Sequence, residues 1–368
     1  MRVNIKSPGR INLIGEHTDY NGGYVLPCAI NLSVNLYFEI QNEKSYVSTD
    51  IGYSMSFNVD ELSMKSDNQW ENYVIGVVRE LKKIKSRLKN FYCKIESTLP
   101  SGAGISSSSA LVCGLIKGLN VLNDLNLNNS DVVNISRNVE HKYIGVLGGI
   151  MDQYTILNAK KNKAILLNCK NLNAKYIDID FGEYEILLLD SKIKHNLANT
   201  EYNERVKECN KALATINSIN KKKIECLSDV SLDEIKKSKN NLSEKEIKRA
   251  TFVVEENFRV IKSSNLIENN NLIEFGKLMY KSHEGLRNKY EVSCKELDFL
   301  VDQSKKFDEI LGARMMGGGF GGCTVNLVKK SATNKIIRKI KDNYESHFGI
   351  NLNAIIAKPD SGIMISKF

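Results

Sequence analysis

The sequence predicts a two-lobed enzyme of mixed α/β structure, with a cleft between lobes of comparable size. At 368 residues, the chain is longer than one hydrophobic core usually supports. Predicted strands and helices intermix in its first half, whereas helical patterns dominate from about residue 190 to about Phe307. A content of 42% hydrophobic and 26% charged residues is ordinary for a folded enzyme and argues against extensive disorder.

In the first half, hydrophobic periodicity separates strands from helices. Apolar or alternating segments predict three strands, at 24–30, 32–40 and 91–97. Helical spacing predicts three helices, at 70–83, 111–123 and 131–144. The third helix follows Ser130, a residue type that often caps a helix amino terminus.

A change of character near residue 183 predicts two lobes, at 1–183 and 184–368. The second lobe opens with a continuous apolar run at 184–190, which is typical of a buried strand. Residues 217–250 are rich in Lys, Asn and Ser, so we expect exposed helices and connections there. Near the carboxyl end we predict a strand, a helix and a closing strand, at 323–328, 333–347 and 354–357.

The densest polar segment is PGRINLIGEHTDYNGG, at residues 8–23. Its sixteen positions contain one arginine, two carboxylates, one histidine and four glycines. Such a mixture of donors and fixed acceptors suits a polyhydroxylated molecule, because each hydroxyl both donates and accepts a hydrogen bond. A sugar is therefore the first ligand to expect.

A second polar segment is PSGAGISSSSA, at residues 100–110, between a predicted strand and a predicted helix. Glycines let backbone amides converge on an anion, the helix amino terminus adds partial positive charge, and serine hydroxyls can bind phosphate or magnesium. The segment predicts a phosphate-binding loop, although the chain has no GxxxxGK[ST] motif. Taken alone, it is also compatible with a flexible serine-rich turn.

A single acid, Asp152, lies in the apolar and glycine-rich segment GGIMDQ at residues 148–153. We expect its side chain to point inward. Burial would raise the pKa of this carboxyl, whereas a nearby guanidinium would lower the pKa and keep the group charged. Asp152 therefore needs a cationic partner.

A glycine run near the carboxyl end reads MGGGFGGCT, at residues 316–324, and contains the pattern GxGxxG. In a dinucleotide-binding fold this pattern opens a helix. Here it precedes the predicted strand at 323–328, so we exclude that fold.

These motifs resemble those of the galactokinases, the sugar branch of the GHMP small-molecule kinases. The segment at 8–23 matches the first family motif, PGRxNLIGEHTDYNGG, throughout. The loop resembles the second motif, PxGAGLSSSAS, with three small departures, at Ile105, Ser109 and Ala110.

Further segments extend the resemblance over nearly the full chain. Residues 148–153 are similar to CGIMDQ, with Gly148 in place of the cysteine, and the glycine run is similar to MTGGGFGGC, with Met316 in place of the threonine. Residues 195–205 are similar to HxLAxxEYNxR, and residues 69–74 to QWANYV. Galactokinases usually carry an extra segment before the first motif. The amino terminus of this chain is shorter, which could loosen the nucleotide side of the site or be simple trimming.

The resemblance implies a GHMP kinase fold, with a mixed βα first lobe and a ferredoxin-like second lobe with added helices. The active site is expected in the cleft, where the glycine run closes over the ligands from the second lobe. The implied reaction is ATP-dependent phosphorylation of the anomeric hydroxyl of galactose, giving galactose 1-phosphate and ADP. ATP and Mg²⁺ are the implied cofactors.

Residue-by-residue matching with the family implies roles for individual side chains. Asp152 is expected to orient the anomeric hydroxyl and accept its proton, and Arg10 to neutralise charge on the moving phosphoryl group. The implied sugar-binding residues are Glu16, His17, Asp19, Gly149, Asp152 and Tyr202. The implied ATP-binding residues are Trp70, Gly102, Ala103, Gly104, Ser106, Ser107 and Ser108, and the implied metal ligands are Ser108 and Glu140.

Several alternatives stay open at this point. Trp70, the single tryptophan, could border the adenine or simply pack in the core. The substrate could be N-acetylgalactosamine or another galactose-like sugar, or the protein could be a galactose sensor without turnover. The presence of Arg10, Glu140 and Asp152 favours an active catalyst. Mevalonate and homoserine kinases share the phosphate loop but lack the continuation Asp19-Tyr20-Asn21, so we rank them lower.

Composition limits the partners and the compartment. The net charge of +9 comes from Lys and Arg spread along the chain, so we expect no nucleic-acid partner. Eight cysteines without metal-binding spacing indicate reduced thiols. With neither a leader nor a long apolar stretch, we expect a cytoplasmic protein without membrane contact, acting as a monomer on a sugar and ATP.

Overall fold

A computed structural model describes residues 1–100, 102–193, 201–221 and 223–368. The described residues form fourteen strands: β1 (Arg2–Asn12), β2 (Tyr24–Val25), β3 (Pro27–Ile40), β4 (Ser45–Thr49), β5 (Ser54–Phe57), β6 (Phe91–Ser97), β7 (Lys163–Asn168), β8 (Ala174–Asp178), β9 (Tyr184–Asp190), β10 (Ile310–Met315), β11 (Cys323–Lys329), β12 (Asn353–Ala357), β13 (Pro359–Asp360) and β14 (Met364–Lys367). They also form ten α-helices: α1 (Gln69–Lys82), α2 (Ser107–Leu122), α3 (Asn129–Val139), α4 (Met151–Asn158), α5 (Glu201–Asn220), α6 (Leu232–Lys237), α7 (Glu244–Glu268), α8 (Leu272–Gly285), α9 (Lys295–Ser304) and α10 (Thr333–Phe348).

The first lobe is built on a sheet with the strand order β14-β1-β3-β6-β4-β5, in which β13 also pairs with β3. Helix α2 packs against β1 and β3, because its apolar residues face the buried side chains of these strands. Two glycines of α2 permit a close approach: a Cβ at Gly114 would lie 2.4 Å from Leu36, and one at Gly118 would lie 2.2 Å from Phe38.

Strand β1 carries an irregularity that matters for the site. Its pairing with β3 shifts register between Pro8 and Arg10. Proline has no N–H to donate to a ladder and is therefore tolerated at such bulges. Beyond the shift, the N–H of Arg10 donates to the carbonyl of Ile105, so the strand binds the phosphate loop directly.

The second lobe contains an antiparallel sheet with the order β10-β11-β9-β12. In chain order this sheet reads as strand, helices, two strands, helix and strand, which confirms the expected ferredoxin-like arrangement. Helices α9 and α10 bury leucine and isoleucine side chains against β9, β10 and β11. Strand β9 has the predicted bounds, and β11, α10 and β12 agree with the prediction to within one residue.

The carboxyl-terminal strands return to the first lobe. Strand β13 pairs with β3, and β14 pairs with β1 along the edge of the first sheet. The division into 1–183 and 184–368 stays a prediction. Strand β9 begins at the predicted boundary, whereas β13 and β14, from the second half of the chain, join the sheet of the first half.

Two helix boundaries differ from the predictions. The helix predicted at 111–123 begins at Ser107, so serines of the loop form its first turn. The helix predicted at 131–144 begins at Asn129, where Asn128 and Asp131 form a capping box, so capping by Ser130 was wrong. This helix ends at Val139 and continues as a π-helical turn at Glu140–Ile144.

None of the helices in the described ranges is both long and apolar enough to span a bilayer.

Candidate active site

Arg10 and Asp152 meet at the centre of the cleft, although 142 positions separate them in the sequence. Arg10 Nε donates to Oδ1 at 2.7 Å and Nη2 to Oδ2 at 2.9 Å, which is a bidentate pair. The third donor, Nη1, bonds the carbonyl of Gly104 at 2.7 Å. Burial of this guanidinium would lower its pKa, but the charges of Asp152 and Glu16 outweigh that effect and raise the pKa.

The two side chains are positioned by local backbone structure. The bulge in β1 places Arg10 beside the phosphate loop, with only 4% of the residue exposed. Asp152 lies in the first turn of α4, where the helix dipole stabilises a negative charge. A quarter of its side chain remains exposed, so the carboxylate reaches the cleft while its partner is buried.

The phosphate loop turns through left-handed backbone positions. Gly102 and Gly104 have φ of 76° and 73°, which glycine adopts without steric cost. Ser106 also has a positive φ, of 61°, which costs a non-glycine residue on the order of 1–3 kcal/mol. Its hydroxyl does not cap α2 but donates to Asp152 Oδ2. Ser107 and Ser108 follow at the amino terminus of α2 and line the cleft. Ser101 lies outside the described residues.

The glycine run of the second lobe faces this loop at close range. A Cβ at Gly317 would lie 2.9 Å from the carbonyl of Gly104, and a Cβ at Gly104 would lie 3.1 Å from the carbonyl of Met316. The backbones of the two loops therefore approach more closely than side chains would allow. That the run closes over bound ligands stays a prediction.

The wall predicted to bind sugar lies next to the Arg10–Asp152 pair. The carboxylate of Asp19 packs against Gly149, where a Cβ would lie 2.1 Å from Oδ2, so only glycine fits. Burial and the charge of Asp152 raise the pKa of Asp19 to about 6, although backbone N–H groups of Tyr20 and Met151 counteract the shift.

Two rings complete this wall. The ring of Tyr202 lies 5.3 Å from that of His17 and 5.5 Å from that of Tyr20, between centroids. Burial, assisted by the positive charge of Arg205, lowers the pKa of His17 to about 3, so the imidazole is neutral at physiological pH. His17 Nε2 is buried and has no hydrogen bond of good geometry within the described residues, although the backbone of Gly318 lies near enough to oppose the pKa shift.

Glu16 lines the cleft but is held mainly by the second lobe. Its Oε1 accepts from Arg314 Nη2 at 2.8 Å and from the N–H of Gly317 at 2.9 Å, and the residue is 2% exposed. Arg314 also donates to the carbonyls of Asn12 and Leu13. The structure thus places a predicted sugar ligand in a buried ion pair that ties the lobes together.

Glu140 lies at the start of the π-helical turn and is buried. Ser109 Oγ donates to its Oε1 at 2.7 Å, and Gln153 Nε2 donates to its Oε2 at 2.8 Å. Burial raises the pKa of this carboxyl to about 7, an effect that the bond from Ser109 partly offsets. The two predicted metal ligands, Ser108 and Glu140, both line the cleft, but Ser108 bonds Tyr73 rather than the carboxylate.

The cleft has a volume of about 540 Å³. Among the predicted site residues that line it are Arg10, Glu16, His17, Asp19, Gly102, Gly104, Ser106, Ser107, Ser108, Glu140, Gly149, Asp152 and Tyr202. Helix α1 contributes Gln69 and Tyr73 to the lining. Trp70 lies outside this lining, with its ring stacked on Tyr53 at 5.8 Å, and its contact with adenine stays a prediction.

Sequence reasoning missed three residues that hold the site together, Ser109, Gln153 and Arg314. Arg314 offered a usable signal, because it is a lone charge in the otherwise apolar run ILGARM. Of the segment around Tyr202, residues 195–200 lie outside the described residues. Asn203, which follows Tyr202, bonds the backbone of Gly145 and Leu147 and so joins α5 to the loop before Asp152.

Comparison with known proteins gives consistent matches. Residues 2–38 match the model "Galactokinase galactose-binding signature", 72–160 match "GHMP kinases N terminal domain", and 264–346 match "GHMP kinases C terminal". A galactokinase of Thermosipho africanus is 37% identical over 348 residues, which are 95% of each chain. A galactokinase of Thermotoga petrophila is 39% identical over 350 residues, which are 95% of this chain and 96% of the relative.

A solved structure matches over a similar extent. The crystal structure of Lactococcus lactis galactokinase complexed with galactose superposes with a TM-score of 0.93 at 33% identity. The match covers 99% of this chain and 95% of the Lactococcus chain.

Proposed function

The chain belongs to the galactokinase family of the GHMP kinases and phosphorylates galactose with ATP, and we propose that Arg10 and Asp152 carry out this transfer at the anomeric hydroxyl. The observation that carries the proposal is their bidentate pair, which lies where the phosphate loop, the glycine run and the sugar wall converge. The products are galactose 1-phosphate and ADP.

Transfer of a phosphoryl group passes through a loose transition state, so positioning and charge compensation supply most of the catalysis. Asp152 accepts hydrogen bonds from Arg10 and Ser106 and retains lone pairs for the sugar hydroxyl. As the bond from the sugar oxygen to phosphorus forms, the hydroxyl proton moves to Asp152 and the bond to the ADP oxygen breaks. Arg10 compensates negative charge at the reacting centre.

The ATP phosphates are assigned to the loop between β6 and α2. We assign the donors for the anion to the backbone amides of Gly102 and Gly104, the hydroxyls of Ser106, Ser107 and Ser108, and the dipole of α2. Ala103, the third residue predicted for this loop, is buried outside the cleft lining, and its contact with ATP stays a prediction. Since the glycine run packs directly on this loop, the second lobe forms the opposite wall of the phosphate site.

The oxygen donors at the cleft also fit Mg²⁺. No three His, Cys, Asp or Glu side chains converge as a metal cage within the described ranges. Mg²⁺ needs few protein ligands, because phosphates and water complete its octahedral shell. We assign Ser108 and Glu140 as its protein ligands, since both present oxygen to the cleft. When bound, the ion supplies positive charge to the ATP phosphates.

We further propose that the enzyme acts in the cytoplasm as a monomer. All eight cysteines lie in described ranges and none forms a disulfide, which suits a reducing compartment. One chain also supplies both walls of the cleft, so catalysis needs no second subunit.

A panel of sugars tests the function directly. ADP release is measured with galactose, N-acetylgalactosamine, glucose and no sugar, at fixed ATP and Mg²⁺. We expect turnover with galactose to exceed that with each other sugar. Faster turnover with N-acetylgalactosamine would move the assignment to an amino-sugar kinase. Galactose binding by calorimetry without ADP release would identify a sensor and contradict the proposal.

The pKa of Asp19 predicts a pH dependence of sugar binding. Because burial raises this pKa to about 6, the carboxylate is ionised above about pH 7 and becomes protonated as the pH falls through 6. Protonation removes an acceptor for sugar hydroxyls, so the KM for galactose should rise below pH 6 and stay constant above pH 7. Asp19→Asn should raise the KM and remove its pH dependence. A wild-type KM that is flat between pH 5 and 8 would contradict this role.

A further inference from the structure

A chain of hydrogen bonds runs from the sugar wall into the second lobe. His17 Nδ1 lies 2.8 Å from the hydroxyl of Tyr20, which lies 2.7 Å from the hydroxyl of Tyr290. That hydroxyl lies 3.1 Å from Cys209 Sγ. We call Cys209, Tyr290 and Tyr20 the relay. Tyr290 and Cys209 are fully buried, so no solvent competes for the bond between them, whereas Tyr20 is half-buried.

The protons of such a chain can be ordered in two directions. In one, Cys209 donates to Tyr290, Tyr290 to Tyr20, and Tyr20 to His17 Nδ1. In the other, His17 donates from Nδ1 and every bond is reversed, so the chain ends with a hydroxyl donating to sulfur. Both directions use each hydroxyl once as donor and once as acceptor.

The chemistry of the groups selects the first direction. A phenol is a better donor than acceptor, and a neutral imidazole nitrogen is a better acceptor than a phenol oxygen. Sulfur is a weak acceptor, so the reversed chain ends on its poorest bond. The neutral imidazole that this direction requires agrees with the low pKa of His17.

We propose that the relay fixes His17 as the tautomer with its proton on Nε2, so that the histidine offers the sugar a hydrogen-bond donor. The inference rests on the proposed function for the identity of the ligand. It makes Tyr20 and Tyr290 positioning residues, with Tyr290 contributed by the second lobe. Nε2 is buried, and its proton is then available to a sugar oxygen, with the nearby backbone of Gly318 as the one competing acceptor in the described residues.

The backbone supports the same orientation. His17 has a left-handed φ of 62°, and its carbonyl accepts from Asn21 Nδ2 at 2.8 Å. The ring of His17 also lies 4.9 Å from the ring of Tyr290, between centroids. Because the backbone and the ring of His17 are both held in place, only the position of the ring proton is left to be determined, and the relay determines it.

Nuclear magnetic resonance tests the tautomer without turnover. Long-range ¹H–¹⁵N correlation of the ¹⁵N-labelled protein distinguishes protonated from unprotonated ring nitrogens, and the spectrum of His17→Gln assigns the His17 signals among the five histidines. We expect a protonated Nε2 and an unprotonated Nδ1. A proton on Nδ1 would overturn the proposal. Because the spectrum requires no catalysis, absence of galactokinase activity would contradict the proposed function and leave this result standing.

Tyr20→Phe removes the donor to Nδ1 and keeps the ring. We expect mixed tautomers and a KM for galactose that rises in inverse proportion to the fraction still protonated on Nε2, about twofold for an equal mixture, with an unchanged KM for ATP. Tyr344→Phe is the matched control for the chemical change, because the hydroxyl of the buried Tyr344 likewise donates one bond inside the protein, to the carbonyl of Ser191. The control should keep the tautomer and both KM values.

An unchanged tautomer in folded Tyr20→Phe would also overturn the proposal. If thermal melting shows that this variant does not fold, the wild-type spectrum decides the tautomer, and Tyr290→Phe replaces it in the kinetic comparison. A raised galactose KM with unaltered tautomer would assign Tyr20 a purely structural role.

Discussion

Replacing Asp152 with asparagine is expected to lower kcat by roughly a hundred-fold to ten-thousand-fold, the usual contribution of a positioned acid or base. The amide has nearly the same shape, but it cannot accept the hydroxyl proton. It also leaves Arg10 without a charged partner at the point where both of its bonds to Asp152 are made. Coupled measurement of ADP release at saturating galactose and ATP gives the rate.

The matched control for this variant is Asp233→Asn. Asp233 is exposed in the first turn of α6, so the same chemical change there should leave kcat within about twofold. Circular dichroism of Asp152→Asn should match that of the wild type. If the folded variant keeps more than about a tenth of the wild-type rate, Asp152 is not the base.

Replacing Arg314 with methionine is expected to lower the free energy of unfolding by about 3–5 kcal/mol, since it leaves the Glu16 carboxylate buried without its partner. Arg314 is fully buried and donates to Glu16 and to three backbone carbonyls, those of Asn12, Leu13 and Met315. Urea unfolding followed by circular dichroism measures the change. Arg338→Met, at an exposed position of α10, should change stability by no more than about 0.5 kcal/mol.

A double-mutant cycle separates the ion pair from the packing of Arg314. Adding Glu16→Gln to Arg314→Met removes the unpaired charge, so the double variant should be more stable than Arg314→Met alone. Strict additivity of the two single changes would show that Glu16 and Arg314 do not interact and would contradict the interlobe tie.

Periodicity predicted strands that are buried and uninterrupted. Strand β9 was predicted with its observed bounds, because 184–190 is a continuous apolar run. Strand β1 was missed, because Pro8 and Gly9 within it are turn-forming residues and the bulge that accommodates them requires pairing with β3. Strand β14 was missed because it has no buried face of its own, all four of its residues being exposed.

The family resemblance was confirmed, and the structure brings most of the implied site residues to one cleft. The contacts that hold these residues in place were not predicted, because the partners lie far apart in the sequence. The bond between Ser109 and Glu140 joins α2 to the π-helical turn after α3, and the pairing of Arg314 with Glu16 joins residues 298 positions apart. Glu16 looks like one more polar group within its motif, and only the packed second lobe reveals its buried partner.

The return of β13 and β14 to the first sheet has a consequence for synthesis on the ribosome. Translation makes β1 before all the other strands and well before its neighbour β14, and the N–H of Arg2 bonds the carbonyl of Phe368. Until β14 emerges, one flank of β1 has no neighbour, and an open flank of this kind invites association between nascent chains. The first sheet is thus completed only after the strands of the second sheet have been made.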